Sequence, residues 1–308
     1  MVGVFRCQCG RSRRNVLRSL SRCFRLTFLR WRPSRAVVTG DSRAYLQAEG
    51  NTVMRIRTFV SLVAACLSTS AAVGAQQPGP NGLSVRERSS GWKLLFDGST
   101  FAGWRGLGYD TVPSVHWNIV QGAIHKIPDA GVPRLPDGQP AVGGELMTTS
   151  SFRDFELEFE WKVAPGANGG VKYNVSEELS MKVAPNHAAL GFEYQVLDDN
   201  LNEDNKVPTH RAASLYDLIP PNENKRLMPV GEWNRSVIIL KGNHGEHWLN
   251  GAIVVRYDLK TARMDSVVTA SKYKSIAGFA DKREGHIVLQ DHLDEVWYRS
   301  IKIREIKP

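Results

Sequence analysis

Phe155-Glu156-Leu157-Glu158-Phe159-Glu160-Trp161 alternates apolar and acidic residues without a break. Successive side chains of an extended strand leave opposite faces, so this stretch puts two Phe, a Leu and a Trp on one face and three Glu on the other. The same period of two runs through Val237–Lys241 and Trp297–Ile306. Between Glu246–Leu249 and Ile253–Asp258 stands Asn250-Gly251, the dipeptide of a tight hairpin with two left-handed residues. Further runs rich in Val, Ile and aromatics lie at Trp92–Phe96, Trp117–Gln121, Phe155–Val163, Gly170–Val175, Gly191–Leu197, Asn234–Lys241, Gly285–Gln290 and Trp297–Glu305. Clusters of Gly, Asn, Asp and Pro separate them, and no ten-residue helical pattern competes. About ten strands in succession predict an all-β chain folded as a sandwich or jelly roll of antiparallel strands in a single domain, residues 91–308.

Outside that domain the composition changes. The chain has 308 residues and a formal net charge of +9. Residues 1–53 alone hold 11 Arg, no Lys and only Asp41 and Glu49 as acids, which is +9 by themselves. With Arg55 and Arg57 also set aside, residues 76–308 carry a net of −2. Nucleic acid is therefore not a partner that the charge of the main body supports. Residues 1–53 read as a disordered Arg-rich extension, an upstream over-extension of the reading frame. Residues 54–75 then follow as a signal peptide: Arg55 and Arg57, the apolar run Phe59–Leu67, and Val73-Gly74-Ala75 before a cut. The run is too short to span a membrane, so export to the periplasm or the exterior is expected, with no transmembrane segment. Cys66 after Val63-Ala64-Ala65 also resembles a lipobox, which gives lipid anchoring as the alternative. Residues 76–90 read as a linker. All four Cys precede residue 76, which excludes a disulfide framework or thiolate metal site in the main body.

Three stretches concentrate polar residues. In Gly191–Asp199 the alternation sends Phe192, Tyr194 and Val196 inward and Glu193 and Gln195 to the other face. In Lys241–Gly251, His244 and His247 have a spacing familiar from metal ligands, with Glu193 and Asp291 as candidates to complete a divalent-metal site. In Gly285–His292, Ile287 and Leu289 point inward, while His286, Gln290 and His292 do not. Glu156, Glu158 and Glu160 read as a solvated strand face, with a glycosidase-type carboxylate pair as the alternative. Trp248 and Trp297 read as core, or else as sugar-stacking residues. Neither a phosphate-binding loop nor a G-x-S-x-G nucleophile elbow is present.

These motifs, taken together, resemble the 3-keto-disaccharide hydrolase domain family. The pieces that match are Leu94-Leu95-Phe96-Asp97-Gly98-Ser99 with Gly103-Trp104, Gly144-Glu145-Leu146, Asp154-Phe155-Glu156-Leu157, Gly191–Asp199, Ala213–Ile219, Gly231–Asn234, Gly242-Asn243-His244 with Glu246–Gly251, and Gly285–His292. Gly245 stands where that family usually has an apolar residue. The resemblance implies a concanavalin A-like jelly roll and a carbohydrate substrate oxidised to a ketone at carbon 3. The ketone acidifies the proton on carbon 2. A base removes that proton, the anomeric substituent leaves, and water adds back. Such a site needs a base, an acid and a group to hold the enolate oxygen. For that chemistry Glu193, His247, Asp291 and His292 are the catalytic candidates, with His292 or His247 as base because imidazole titrates near neutral pH. Lys172, Gln195, Tyr216, His244 and Gln290 are the substrate-binding candidates. A divalent cation held by Glu193, His244, His247 and Asp291 is the alternative carrier of the enolate charge. The rival function is a non-catalytic, lectin-like carbohydrate-binding module, because the same fold serves both.

Overall fold

The computed structural model describes residues 79–128, 131–133, 135, 141, 143–183 and 188–307. The expectations for residues 1–53 and 54–75 fall outside that range. Thirteen strands are formed among the described residues: β1 Trp92–Leu94, β2 Trp104–Gly106, β3 Trp117–Val120, β4 Ala123–Lys126, β5 Leu146–Thr148, β6 Phe155–Val163, β7 Asn168–Val175, β8 Phe192–Leu197, β9 Asn234–Lys241, β10 His244–Leu249, β11 Ala252–Asp258, β12 His286–Leu289 and β13 Val296–Glu305. They are joined by short helices α1 Val85–Ser89 and α2 Glu177–Val183, and by α3 Ala262–Ala270.

One sheet runs β11-β10-β9-β6-β13-β4-β3, with β1 also paired to β13, and the other runs β2-β5-β12-β7-β8. Every pairing is antiparallel. This is the all-β jelly-roll sandwich of two antiparallel sheets. The alternating segment is its central strand, β6, held between β9 and β13. Phe155, Leu157, Phe159 and Trp161 are essentially fully buried in the core between the sheets. Each such side chain contributes about 1.5–3 kcal/mol through the area it removes from water. The glutamates on the outer face meet cross-strand cations. Glu156 pairs with Arg304, Glu158 with Arg235 at 2.6 Å and Lys302 at 3.0 Å, and Glu160 with Arg299 at 2.8 Å. Trp297 lies half-buried on the same sheet rather than in the core, stacked on His125 with centroids 5.0 Å apart and carrying Lys162 Nζ at 4.6 Å. Trp248 is likewise half-buried, on the β10 face opposite Gly245 and His247.

The β10–β11 turn is the expected one, with Asn250 at φ 48° and Gly251 at φ 87°. A second such turn, Gln121 at φ 50° and Gly122 at φ 74°, joins β3 to β4. The strands that sequence patterning leaves out, β2, β4 and β5, are three or four residues long, too short to show a period. Part of the stretch read as a linker is built into the sandwich. Ser84 caps α1 through a reciprocal capping box with Glu87, and Glu87 is paired with Lys302 at 2.5 Å. Asn81 accepts from the backbone N–H of Ser300 at 2.8 Å and donates to the Gly122 carbonyl at 2.8 Å.

Gly245 is explained by its neighbour. A Cβ there would lie 2.0 Å from Cζ of Tyr257, whose buried ring takes the space that a side chain at this position would need. We expect Gly245→Ala to lower stability by about 1–3 kcal/mol through overpacking, and Gly245→Ala combined with Tyr257→Ala to cost less than the sum of the two single substitutions. Urea denaturation midpoints test this; a midpoint unmoved by the single substitution contradicts it.

Candidate active site

The face of the five-stranded sheet turned away from the core carries a cleft of about 510 Å³, within the range of small-molecule sites. Strand alternation builds its floor. Val171 and Tyr173 of β7, and Phe192, Tyr194 and Val196 of β8, enter the core. Asn168, Lys172, Glu193 and Gln195 therefore emerge on the cleft side, where Gln290 and His292 join them from the end of β12. Tyr216, Asp204, Lys272, Tyr273 and Ile276 close the walls.

Below the floor lies a buried ionic network. Lys172 Nζ is 2.7 Å from Glu145 Oε1, with both residues almost fully buried. The same Glu145 oxygen accepts from the Ala189 backbone N–H at 3.1 Å, and its other oxygen accepts from the Asp291 backbone N–H at 3.2 Å. Asp291 is itself fully buried, against Lys126 at 2.9 Å and His116 at 2.5 Å. Burial would raise the Asp291 carboxyl, but His116 and Lys126 outweigh it and hold the group below the usual carboxylate range. Burial would likewise strip the proton from Lys172; the carboxylates of Glu145, Glu193 and Asp291 instead hold it above the ordinary lysine value. Glu193 ends on the other side of the balance. Burial keeps its carboxyl above the usual range, against the pull of Lys172 and Lys272.

The Gln195 amide sits between Asn168 Oδ1 and Glu193 Oε1, 3.0 Å from each. His292 Nδ1 is 3.3 Å from Asp294 Oδ2, and its Nε2 is 3.5 Å from the Asn168 amide nitrogen. Gln290 is almost fully buried, and its Oε1 has no hydrogen-bond partner among the described residues.

Of the residues picked from sequence, the cleft gathers Lys172, Glu193, Gln195, Tyr216, Gln290 and His292. Asp291 does not reach it; its side chain lies beneath, in the network just described. His244 and His247 also lie elsewhere, and on opposite faces of β10, because residues three apart in a strand point opposite ways. His247 is in the core, with Nε2 accepting from the Tyr173 hydroxyl at 2.8 Å and Nδ1–H donating to the Ala213 carbonyl at 3.2 Å. His244 contacts Asp258 at 2.9 Å and Glu246 at 3.3 Å, beside a separate 380 Å³ hollow. The residues weighed as one metal-ligand set thus occupy four different places. No other group of three or more potential His, Cys, Asp or Glu ligands is gathered among the described residues.

Sequence reasoning passed over Asn168, Glu145, Asp204, Lys272 and Tyr273. Asn168 was findable, since it shares the parity of Lys172 on β7. Lys272 and Tyr273 sit on a connector after α3 with no pattern to mark them.

Residues 91–304 match the family described as the 3-keto-alpha-glucoside-1,2-lyase-like domain. A 3-keto-disaccharide hydrolase of Bacteroides thetaiotaomicron is 37% identical over 237 residues, covering 70% of this chain and 79% of that protein. Two solved structures of Parabacteroides distasonis proteins that carry a provisional glycosyl hydrolase name share the fold. Each is 24% identical; the TM-scores are 0.63 and 0.52, with 74% and 70% of this chain and 100% and 99% of theirs covered. The chain belongs to the 3-keto-alpha-glucoside-1,2-lyase-like domain family.

The buried histidine yields a pH prediction. Burial pushes His247 down to about 4, whereas an unfolded histidine titrates near 6.5. Between these values the unfolded chain binds a proton that the folded chain does not, so stability falls as pH falls through this window, by about 3 kcal/mol in all. His247→Gln should flatten that slope when unfolding is followed at pH 4 to 7. A variant with the wild-type slope contradicts the placement.

Proposed function

We propose that this cleft cleaves glycosides whose sugar carries a ketone at carbon 3, by elimination followed by hydration. The observation that carries the reading is Glu193: a buried carboxyl held above its usual range, in one cleft with a histidine backed by a carboxylate. Titratable groups whose surroundings set them apart are how a site holds an acid and a base together. Family membership and the named Bacteroides relative support the substrate class.

With Nδ1–H donated to Asp294, His292 keeps its Nε2 lone pair as the base. It takes the proton from carbon 2, and the electron pair moves onto the ketone oxygen as an enolate. The enolate expels the anomeric oxygen, which takes a proton from Glu193, leaving a double bond between carbons 1 and 2. Water then adds to carbon 1. Glu193 takes a proton from it, His292 returns its proton to carbon 2, and both groups are restored. The net reaction is hydrolysis. Lys172, Gln195 and Gln290 form the floor that fixes the sugar. The cycle as written runs through side chains of the cleft.

The same reading places the mature protein outside the cytoplasm, on the strength of residues 54–75. No helix among the described residues is long and apolar enough to cross a membrane.

Glu193→Gln and His292→Asn should each keep the fold and lose about 100-fold or more in turnover of a 3-keto disaccharide. The unoxidised parent sugar should not be cleaved by the wild type, because without the ketone its carbon 2 proton is not acidic. Wild-type turnover in both variants, or equal cleavage of both sugars, overturns the reading. Saturable binding of either sugar without cleavage assigns the cleft to a lectin-like module instead.

A further inference from the structure

Lys272 enters the cleft wall from the connector after α3, on the side opposite the β7–β8 floor. Its position is set by a closed ring of contacts. The Lys272 backbone N–H donates to Asp217 Oδ2 at 2.7 Å. Asp217 Oδ1 is 3.0 Å from His210 Nε2, and the His210 ring stacks on Tyr216 with centroids 4.4 Å apart at 22°. Tyr216 in turn carries the Lys272 ammonium, 4.4 Å from its ring centroid, which closes the ring. Tyr216, half-buried in the cleft wall, thus touches both the His210 ring and the Lys272 ammonium. That contact helps to seat Lys272. The neighbouring Tyr273 is locked by stacking on Phe279 at 3.9 Å and 8°, which fixes the connector from behind.

The elimination reading requires positive charge where the ketone oxygen becomes anionic. Lys172 is a poor sole source. It is held at 2.7 Å by Glu145, and its charge is divided among Glu145, Glu193 and Asp291. Lys272 lines the same cavity and acts on Glu193 next after Lys172. The Lys272 ammonium lies over two rings, 4.4 Å from the Tyr216 centroid and 5.3 Å from the Tyr273 centroid, and both ring quadrupoles attract it. Held in advance by its ring of contacts, such a group needs no reorganisation when the charge appears.

We infer that Lys272 is a catalytic residue whose ammonium holds the enolate oxygen formed when the carbon 2 proton leaves. This rests on the elimination reading above. The test separates the two by using a ketone that can enolise but has no glycosidic bond to cleave, 1,5-anhydro-3-keto-glucitol, which lacks an exocyclic oxygen at carbon 1. The full-length protein is incubated with it in D2O, and deuterium entry at carbon 2 is timed by mass spectrometry for wild type, Lys272→Met and Lys272→Arg. The expected result is wild-type exchange, a loss of about 100-fold in Lys272→Met with little change in the ketone concentration for half-maximal rate, and partial retention in Lys272→Arg. Wild-type exchange in Lys272→Met overturns the inference and leaves the elimination reading standing. So does a variant that needs more ketone yet reaches the wild-type maximum, which would make Lys272 a binding residue only. A wild-type protein that cleaves 3-keto disaccharides without exchanging this ketone overturns both. Circular dichroism verifies folding, and Lys272→Gln replaces the Met variant if that one misfolds.

Discussion

Lys172 and Glu145 face each other at 2.7 Å beneath the cleft, and both are almost wholly removed from water. Desolvating two charges costs several kcal/mol each, so a pair like this persists only where further partners satisfy it. Here the partners come from backbone: the N–H groups of Ala189 and Asp291 donate to the two Glu145 oxygens. The pair thereby ties β7, the segment before β5, the segment before β8 and the end of β12 to one point. Gln290 and His292 flank Asp291 in sequence, so the same tie sets where they stand.

The chemistry of Glu193 follows from that arrangement. One lysine cannot neutralise two carboxylates equally, and Glu145 has the shorter contact. Glu193 is left with burial as its dominant influence, and its carboxyl holds a proton more tightly than usual. Gly170 makes room for it, since a Cβ there would lie 2.4 Å from Glu193 Oε1. A buried acid, a histidine beside Asp294, and cations in the floor and the wall are parts that the proposed elimination would use.

The period of two in β6, β9 and β13 was enough to establish the sandwich, and the same period in β8 set Glu193 and Gln195 apart from Phe192, Tyr194 and Val196. What patterning misjudged was geometry across longer reach. His244 and His247 have a ligand-like spacing on paper, but an extended strand sends them to opposite faces, one toward Asp258 and one into the core beside Tyr173. Asp291 sits next to a cleft residue in sequence and under it in space. The Lys126 and His116 that hold it come from β4 and the segment before β3, a pairing that local sequence does not reveal. Asn174, at φ 57°, ends the alternation of β7, so Val175 leaves the main core for a small cluster with Met147 and Val288. No local signal marked Lys272 either; its place depends on Asp217 and Tyr216 from another part of the chain.

The central claim is that bond cleavage passes through loss and return of the carbon 2 proton. Turnover of a 3-keto disaccharide in D2O, sampled faster than the free product exchanges, tests it directly. The account predicts one deuterium at carbon 2 of the released 3-keto sugar for each bond broken. A product released with its original hydrogen at carbon 2 contradicts it, because direct displacement at the anomeric carbon never touches that bond.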